Sequence, residues 1–349
     1  MNRELPEFAV RSAVAAAVAC AVVAALAVFW RGIDVLLLVF AGLLLAILLR
    51  GAADRIARAT GLSGGWSLSL LLLAVLAVGG AGGWFVGSGV AEQFADLSEE
   101  LPKAVATLRD RLASQRWGRE LLGRLPEADG LVPDRGEVVS GVVGLASGTF
   151  GAIGSAVVVL FVGLFVAYEP GLYRRGLLRL VPPRGRRRAG EVLDAVGDAL
   201  RGWMAGQAFS MTVVGVFTVL GLSALGVPLA IPLGIIAALL TFIPNIGPVL
   251  SVVPAVLLAL PEGAGKALAV VGLFVAIQAI ESNVLTPIVQ RNLIALPPAL
   301  VLSAQALLGV LLGTVGLLVA TPLTAAAMVA VNMLYVEDVL GDPAGDPDG

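Results

Sequence analysis

Apolar runs long enough to cross a bilayer recur along this chain, and they constrain its fold more than any other feature. An α-helix rises about 1.5 Å per residue, so a hydrocarbon core of about 30 Å takes roughly 20 apolar residues. Residues 12–30, 33–49, 67–90, 149–168 and 207–225 meet or approach that length. Within lipid every backbone N–H and C=O needs an internal partner, which makes helices the spanning elements for runs of this length. Composition agrees, with 58% of the 349 residues hydrophobic and 14% charged, against about 45–50% and about 25% in soluble domains. Mean hydropathy is +0.95. The expected fold class is all-α, a polytopic transmembrane helical bundle.

The first run is also where a cleaved targeting segment would lie. Arg3 and Arg11 precede it, and Ala17-Val18-Ala19-Cys20 resembles a lipoprotein cleavage box. A cleaved signal ends its apolar stretch near that cysteine, but this one continues through Phe29-Trp30, so a retained first helix is expected. Cys20 is the single cysteine and cannot form an internal disulfide.

Two polar inserts interrupt the spans. In residues 91–147, Phe94, Leu97, Leu101, Val105, Leu108 and Leu112 recur three or four apart, the period of an amphipathic helix. Pro102 is expected to divide it, because an interior proline deletes a hydrogen bond. A short amphipathic helix is marginal alone, so the stripe predicts either a cap over the bundle or a homo-oligomer contact. The second insert, 169–206, holds Arg184, Arg186, Arg187 and Arg188, followed by an amphipathic stretch expected to lie along the headgroups. Cytoplasmic loops are enriched in Lys and Arg. With the N-terminus inside, Arg50, Arg55, Arg58 and the arginine cluster all fall on the cytoplasmic side, and the acidic insert falls outside. The localisation this implies is the inner (plasma) membrane, multi-pass, with the N-terminus cytoplasmic.

The second half has a different texture. Its apolar stretches are short and cut by proline and glycine, so broken or re-entrant helices are expected there. One break falls at 241–248, where Pro244 and Pro248 forbid continuous helix and Gly247 permits a sharp turn. The apolar run 299–334 is too long for one crossing; Gly309, Gly313 and Gly316 mark its expected break, and Pro322 a second interruption. Another span ends at Thr286-Pro287. The chain thus divides into three N-terminal spans (1–90), an extracytoplasmic insert (91–147), a span (148–168), an arginine-rich cytoplasmic segment (169–206), a C-terminal transport region (207–336) and a disordered acidic tail (337–349).

Chemistry is concentrated at these breaks. Matched interruptions of membrane helices point to the solute site of secondary transporters. Asn245 puts a neutral amide at membrane depth, unless the turn is only a tight helical connector. Glu281 lies well inside a span, where a carboxyl is costly and is usually turned inward for function. At 100° per residue Gln278, Glu281 and Ser282 share one face, with Thr286 beside it and Asn283 directed elsewhere. The alternative for Glu281 is structural, holding helices together through Asn245 or Arg291.

The stretch Phe242-Ile243-Pro244-Asn245-Ile246-Gly247-Pro248, the run from Gln278 through Glu281, Asn283, Thr286 and Pro287 to Gln290, then Leu296-Pro297-Pro298 and 309–322, together resemble the autoinducer-2 exporter family of permease-like proteins. The resemblance covers nearly the whole chain. It implies a multispan permease whose members include exporters of autoinducer-2, with others associated with sodium/proton exchange. Asn245 stands where an aromatic residue is common in that family.

Three functions follow as expectations. The first is a secondary transporter exporting a small organic solute, an autoinducer-2-like signal or other metabolite, driven by an ion gradient. The second is a cation/proton antiporter working with H+ or Na+ through Glu281. The third is a non-transporting scaffold. The chain has no histidine and a net charge of −2, and no glycine loop with lysine for nucleotide phosphates. Accordingly no enzymatic activity, catalytic residue, metal ligand or cofactor is assigned, and nucleic acid is not an expected partner. The expected partners are the solute, the lipid bilayer and a second copy of the chain.

Overall fold

In the computed structural model, residues 32–33, 35–85, 87–114, 149–285 and 296–342 are described. Among them every regular element is helical, in the order α1 (Val35–Thr60), α2 (Gly64–Phe85), α3 (Gly87–Ser114), α4 (Thr149–Tyr168), α5 (Pro170–Arg179), α6 (Arg186–Ala224), α7 (Ala230–Leu240), α8 (Ile246–Ala259), α9 (Ala264–Ile280) and α10 (Pro298–Val331). The first apolar run and Cys20, the residues 286–295 with Thr286, Pro287 and Arg291, and the tail 343–349 lie outside the described residues.

Helices α1, α2 and α4 pack through small residues. Ala46, Ala53, Leu68 and Ala167 form their buried contact, and α4 runs so close to α1 that a Cβ on Gly163 would stand 2.8 Å from Leu45. Close backbone approach of this kind is how helices associate in lipid, where no hydrophobic force pulls them together. After Tyr168 the chain bends by 92° into α5, starting at Glu169-Pro170, since proline suits a first helical turn and not an interior one. None of the residues of α5 is buried.

Helix α6 corrects an expectation. An amphipathic surface segment and a separate span were expected on either side of residue 206, yet 39 residues run as one helix. Only glycine interrupts the junction Trp203-Met204-Ala205-Gly206-Gln207, and one glycine costs a helix about 1 kcal/mol, too little to break a helix packed on both sides. The α6 end is capped by Gly226 at φ +65, with Val227 N–H donating to Leu222 O at 2.9 Å, as a left-handed glycine cap allows.

Helix α3 likewise runs straight through Pro102, where two helices were expected. Leu97 and Ala104, one on each side of the proline, are buried in the main core with Leu233, Ala255 and Ala259, and this packing holds both halves in one continuous helix. Through Leu97 and Ala104 the apolar side of α3 therefore packs on α7 and α8 of the same chain.

The C-terminal half contains two helical hairpins. In the first, α7 and α8 are joined across 241–245. At about 1.5 Å per residue, the 11 residues of α7 are far too short to cross a bilayer. In the second, α10 is broken at Gly313, whose φ of 63° and ψ of −147° are non-helical. The chain reverses there: Gly316 faces Leu308, Gly309 faces Leu317, and Gln305 bonds Thr321. Its arms are thus antiparallel, 298–312 and 314–331. Pro322 does not interrupt the second arm as expected; the helix continues past it, with Thr321 and Pro322 buried against the neighbouring helices.

The two hairpins enter from opposite ends of α6. Lys266, at the base of the first, donates to Gly226 O at 2.8 Å, while the first hairpin's tip reaches Gln207 and Trp203. At the other end, Arg188 donates to Met333 O at 2.8 Å, just past the second hairpin. Arg188 also binds Glu337 at 2.7 Å and Asp338 at 2.9 Å. The start of the tail, expected to be disordered, is held by these ion pairs through Asp338.

Candidate functional site

The break at the tip of the first hairpin frees backbone polar groups from regular helical pairing, and several of them find other partners. Thr241 N–H and Oγ1 both donate to Ala237 O, at 2.9 and 2.7 Å. Phe242 and Ile243 N–H bond Leu239 O and Leu240 O at 3.1 and 2.9 Å. The carbonyls that the break releases are taken by side-chain amides: Gln207 Nε2 donates to Thr241 O at 2.5 Å, and Gln305 Nε2 donates to Pro244 O at 3.1 Å. This is the local satisfaction that a broken membrane helix requires.

The turn itself differs in one respect from expectation. The positive φ falls on Asn245, at φ 68° and ψ −43°, and not on Gly247. Ile246 N–H donates to Pro244 O at 2.8 Å, so Asn245 is the central residue of a γ-turn of the rare, strained hand. Gly247 serves space instead: a Cβ there would overlap the carbonyl oxygen of Leu240.

A cavity of about 410 Å³ lies where this tip, α6, α9 and the second hairpin meet, a size suited to a small-molecule ligand. Asn245, Pro244 and Pro248 line it from the tip, Gln278, Glu281 and Ser282 from α9 and the turn that follows, Trp203, Gln207 and Ser210 from α6, and Thr321, Ala325 and Val329 from the second hairpin. The site residues singled out on α9 and at the hairpin tip thus meet in one place. Glu281 begins a π-helical segment, Glu281–Leu285, the widened form of helix that often marks functional positions. Ser282 Oγ donates to Gln278 O, so its oxygen faces the cavity as an acceptor.

Several expected residues stand apart. Asn283 does not line the cavity, and its amide donates to Ala279 O at 2.9 Å. Gly309, Gly313, Gly316 and Pro322 shape the second hairpin without facing the cavity, and Gly247 stays inside α8. Gln207, Ser210 and Gln305 were not singled out from sequence as site residues, and Thr321 was read only as part of the Thr321-Pro322 break. The signal for Gln305 was present: it is a long amide in an apolar run between two helix breaks, and it is 1% exposed.

A bundle of apolar helices in which broken hairpins bring polar side chains around a shared cavity is the architecture of a multi-pass membrane transporter. The chain belongs to the AI-2E transporter family, whose model matches residues 19–335. Among curated relatives, the candidate transport protein YrrI of Bacillus subtilis (strain 168) is 27% identical over 77% of this chain and 78% of its own length. A candidate transport protein of Mycobacterium tuberculosis (strain CDC 1551 / Oshkosh) is 32% identical over 60% of this chain and 58% of its own. The AI-2 transport protein TqsA of Escherichia coli (strain K12) is 31% identical over 50% of this chain and 49% of its own.

Proposed function

We propose that this transporter exports a small polar organic solute across the inner membrane, coupled to an ion gradient, with Glu281 as the coupling or principal contact group. The observation that carries this reading is the convergence of Asn245, Gln278, Glu281 and Ser282 on one cavity between two opposed hairpins. No lysine or arginine lines that cavity among the described residues, which favours a neutral or cationic solute over an anion. Autoinducer-2, the solute in the name of TqsA, is the first candidate to assay. A second reading, sodium/proton exchange, is favoured by Glu281 being the one titratable group among the described lining residues.

Everted vesicles separate the two readings, since proton movement on adding sodium supports exchange and autoinducer-2 uptake supports solute export. In either case Glu281→Gln keeps shape and hydrogen-bonding reach while deleting titration. Gradient-driven transport is expected to fall to background with insertion unchanged. Glu281→Asp should retain part of the activity with an altered pH profile. Normal transport by the Gln variant across a pH series would reduce Glu281 to a structural contact.

The cytoplasmic N-terminus belongs to the same proposal. Cysteines introduced at Gln115 and Arg187, after replacing Cys20, should lie on opposite sides. An impermeant thiol reagent on spheroplasts should label Gln115→Cys alone, and labelling of Arg187→Cys would invert the topology. Assembly into a homo-oligomer also remains a proposal, to be read from the mass of the detergent-solubilised protein.

A further inference from the structure

Gln305 is 1% exposed and does not line the cavity, yet it joins the two elements that shape it. One Nε2 proton goes to Pro244 O at 3.1 Å, the carbonyl at the heart of the strained Asn245 turn. The other goes to Thr321 Oγ1 at 3.2 Å on the opposite hairpin arm. Its Oε1 is buried with no protein partner among the described residues, which costs stability that a leucine or methionine of similar volume would not. A side chain kept under that penalty is there for what its amide does.

We propose that Gln305 is the positioning residue of the cavity, holding the hairpin tip in register with the second hairpin and setting the polarity of Thr321 as a donor toward the solute. The reasoning is a proton count. An amide NH2 donates twice and cannot accept, so Thr321 Oγ1 receives a hydrogen bond from Gln305. The hydroxyl's own proton remains, and no acceptor for it exists within the fold among the described residues, whereas the neighbouring Thr324 gives its proton to Ala320 O at 2.8 Å. Thr321 faces the cavity, so its proton is delivered there. Ser282, by contrast, spends its proton on Gln278 O and offers only lone pairs. The cavity thus pairs a fixed donor on the second hairpin with acceptors on the turn that follows α9, which selects a solute carrying both hydrogen-bond donors and an acceptor.

This inference rests on the cavity being the solute site, and the experiment has one arm that does not. The full-length chain with Cys20→Ser and Ser210→Cys is reconstituted in phosphatidylethanolamine/phosphatidylglycerol vesicles, and reaction of the cavity thiol with a permeant maleimide is timed. Gln305→Met should raise that rate several-fold by releasing the tip; an unchanged rate overturns the positioning role. If Gln305→Met fails to insert, Gln305→Glu, which keeps the length and removes the paired donors, takes its place with the same expectation. In the second arm the probe is autoinducer-2. Thr321→Val should raise KM roughly tenfold, the loss of about one hydrogen bond, with maximal rate preserved and Thr321→Ser restoring it. Gln305→Met should raise KM comparably, and the double variant should be no worse than either single one. Full additivity, or a fall in maximal rate alone, overturns the donor assignment. If the wild type carries no autoinducer-2, that compound is ruled out as the solute, and the thiol rates decide whether Gln305 positions the tip.

Discussion

The two hairpins of the C-terminal half reverse the chain by different chemistry. The first turns across 241–245 with Pro244 and Pro248 nearby; its released carbonyls on Thr241 and Pro244 are each taken by a glutamine from another helix. The second turns at one residue, Gly313, and its arms close until Leu308 leaves no room for a Cβ on Gly316. The first hairpin leaves backbone carbonyls that other helices bond one by one, and it lines the cavity. The second closes tightly on itself, and its tip stays away from the cavity, which only residues further along its arms, such as Thr321 and Val329, reach. Proline breaks here build a site, and glycine breaks build a wall.

The largest expected effects fall on the wall. At Gly316 an added methyl meets the carbonyl oxygen of Leu308 and the Cβ of Leu312, so Gly316→Ala forces the arms apart at an overpacking cost of about 1–3 kcal/mol. The thermal midpoint and the yield of monodisperse protein should both drop. An unchanged midpoint would mean that the arms do not meet there. Gly313→Ala should cost a similar amount for a different reason, because its φ of 63° and ψ of −147° lie close to a region open essentially to glycine alone, at about 1–3 kcal/mol for other residues.

The site is expected to respond in activity more than in stability. Replacing Pro244 and Pro248 together with alanine should lower transport several-fold without preventing insertion, since alanine allows α7 and α8 to extend into the turn and fill the cavity. Unchanged transport would make the turn a connector, like the one at Gly313.

These contrasts explain what could be read from sequence and what could not. Spans and breaks were legible because hydropathy, proline and glycine act locally: α4 ends at Glu169-Pro170, and the second hairpin reverses within 309–316. Glu281 was legible because a carboxyl in an apolar run is costly wherever it sits. Two kinds of feature were not. Pro102 and Pro322 look like breaks, yet contacts to distant helices hold α3 and the second arm of α10 straight through them. Arg188 reads in sequence only as one of four clustered arginines, and Gln207 and Gln305 as amides without a visible partner; their importance lies in partners 149, 34 and 61 positions away. Local rules locate a break; only the tertiary fold says which side chain completes it.

The smallest expected effect is at Asn245, and it tests the comparison most finely. Asn245 combines a backbone demand, φ 68° in a γ-turn, with a side chain that lines the cavity. Glycine meets the backbone demand without steric cost but lacks the amide. If the residue were there for the turn alone, Asn245→Gly would leave transport intact. If the amide contacts solute, the thermal midpoint should hold or rise slightly, because strain of about 1 kcal/mol or more is relieved and partly offset by glycine's larger entropy loss on folding. KM should rise at the same time, while the maximal rate stays near that of the wild type. Asn245→Ala supplies the control: it lacks the amide and keeps the strain, so it should match the glycine variant in KM and fall below it in stability. Equal stability of the two variants would show that the turn relaxes to negative φ in the membrane. The proline-bounded hairpin would then be as compliant as its glycine counterpart is rigid.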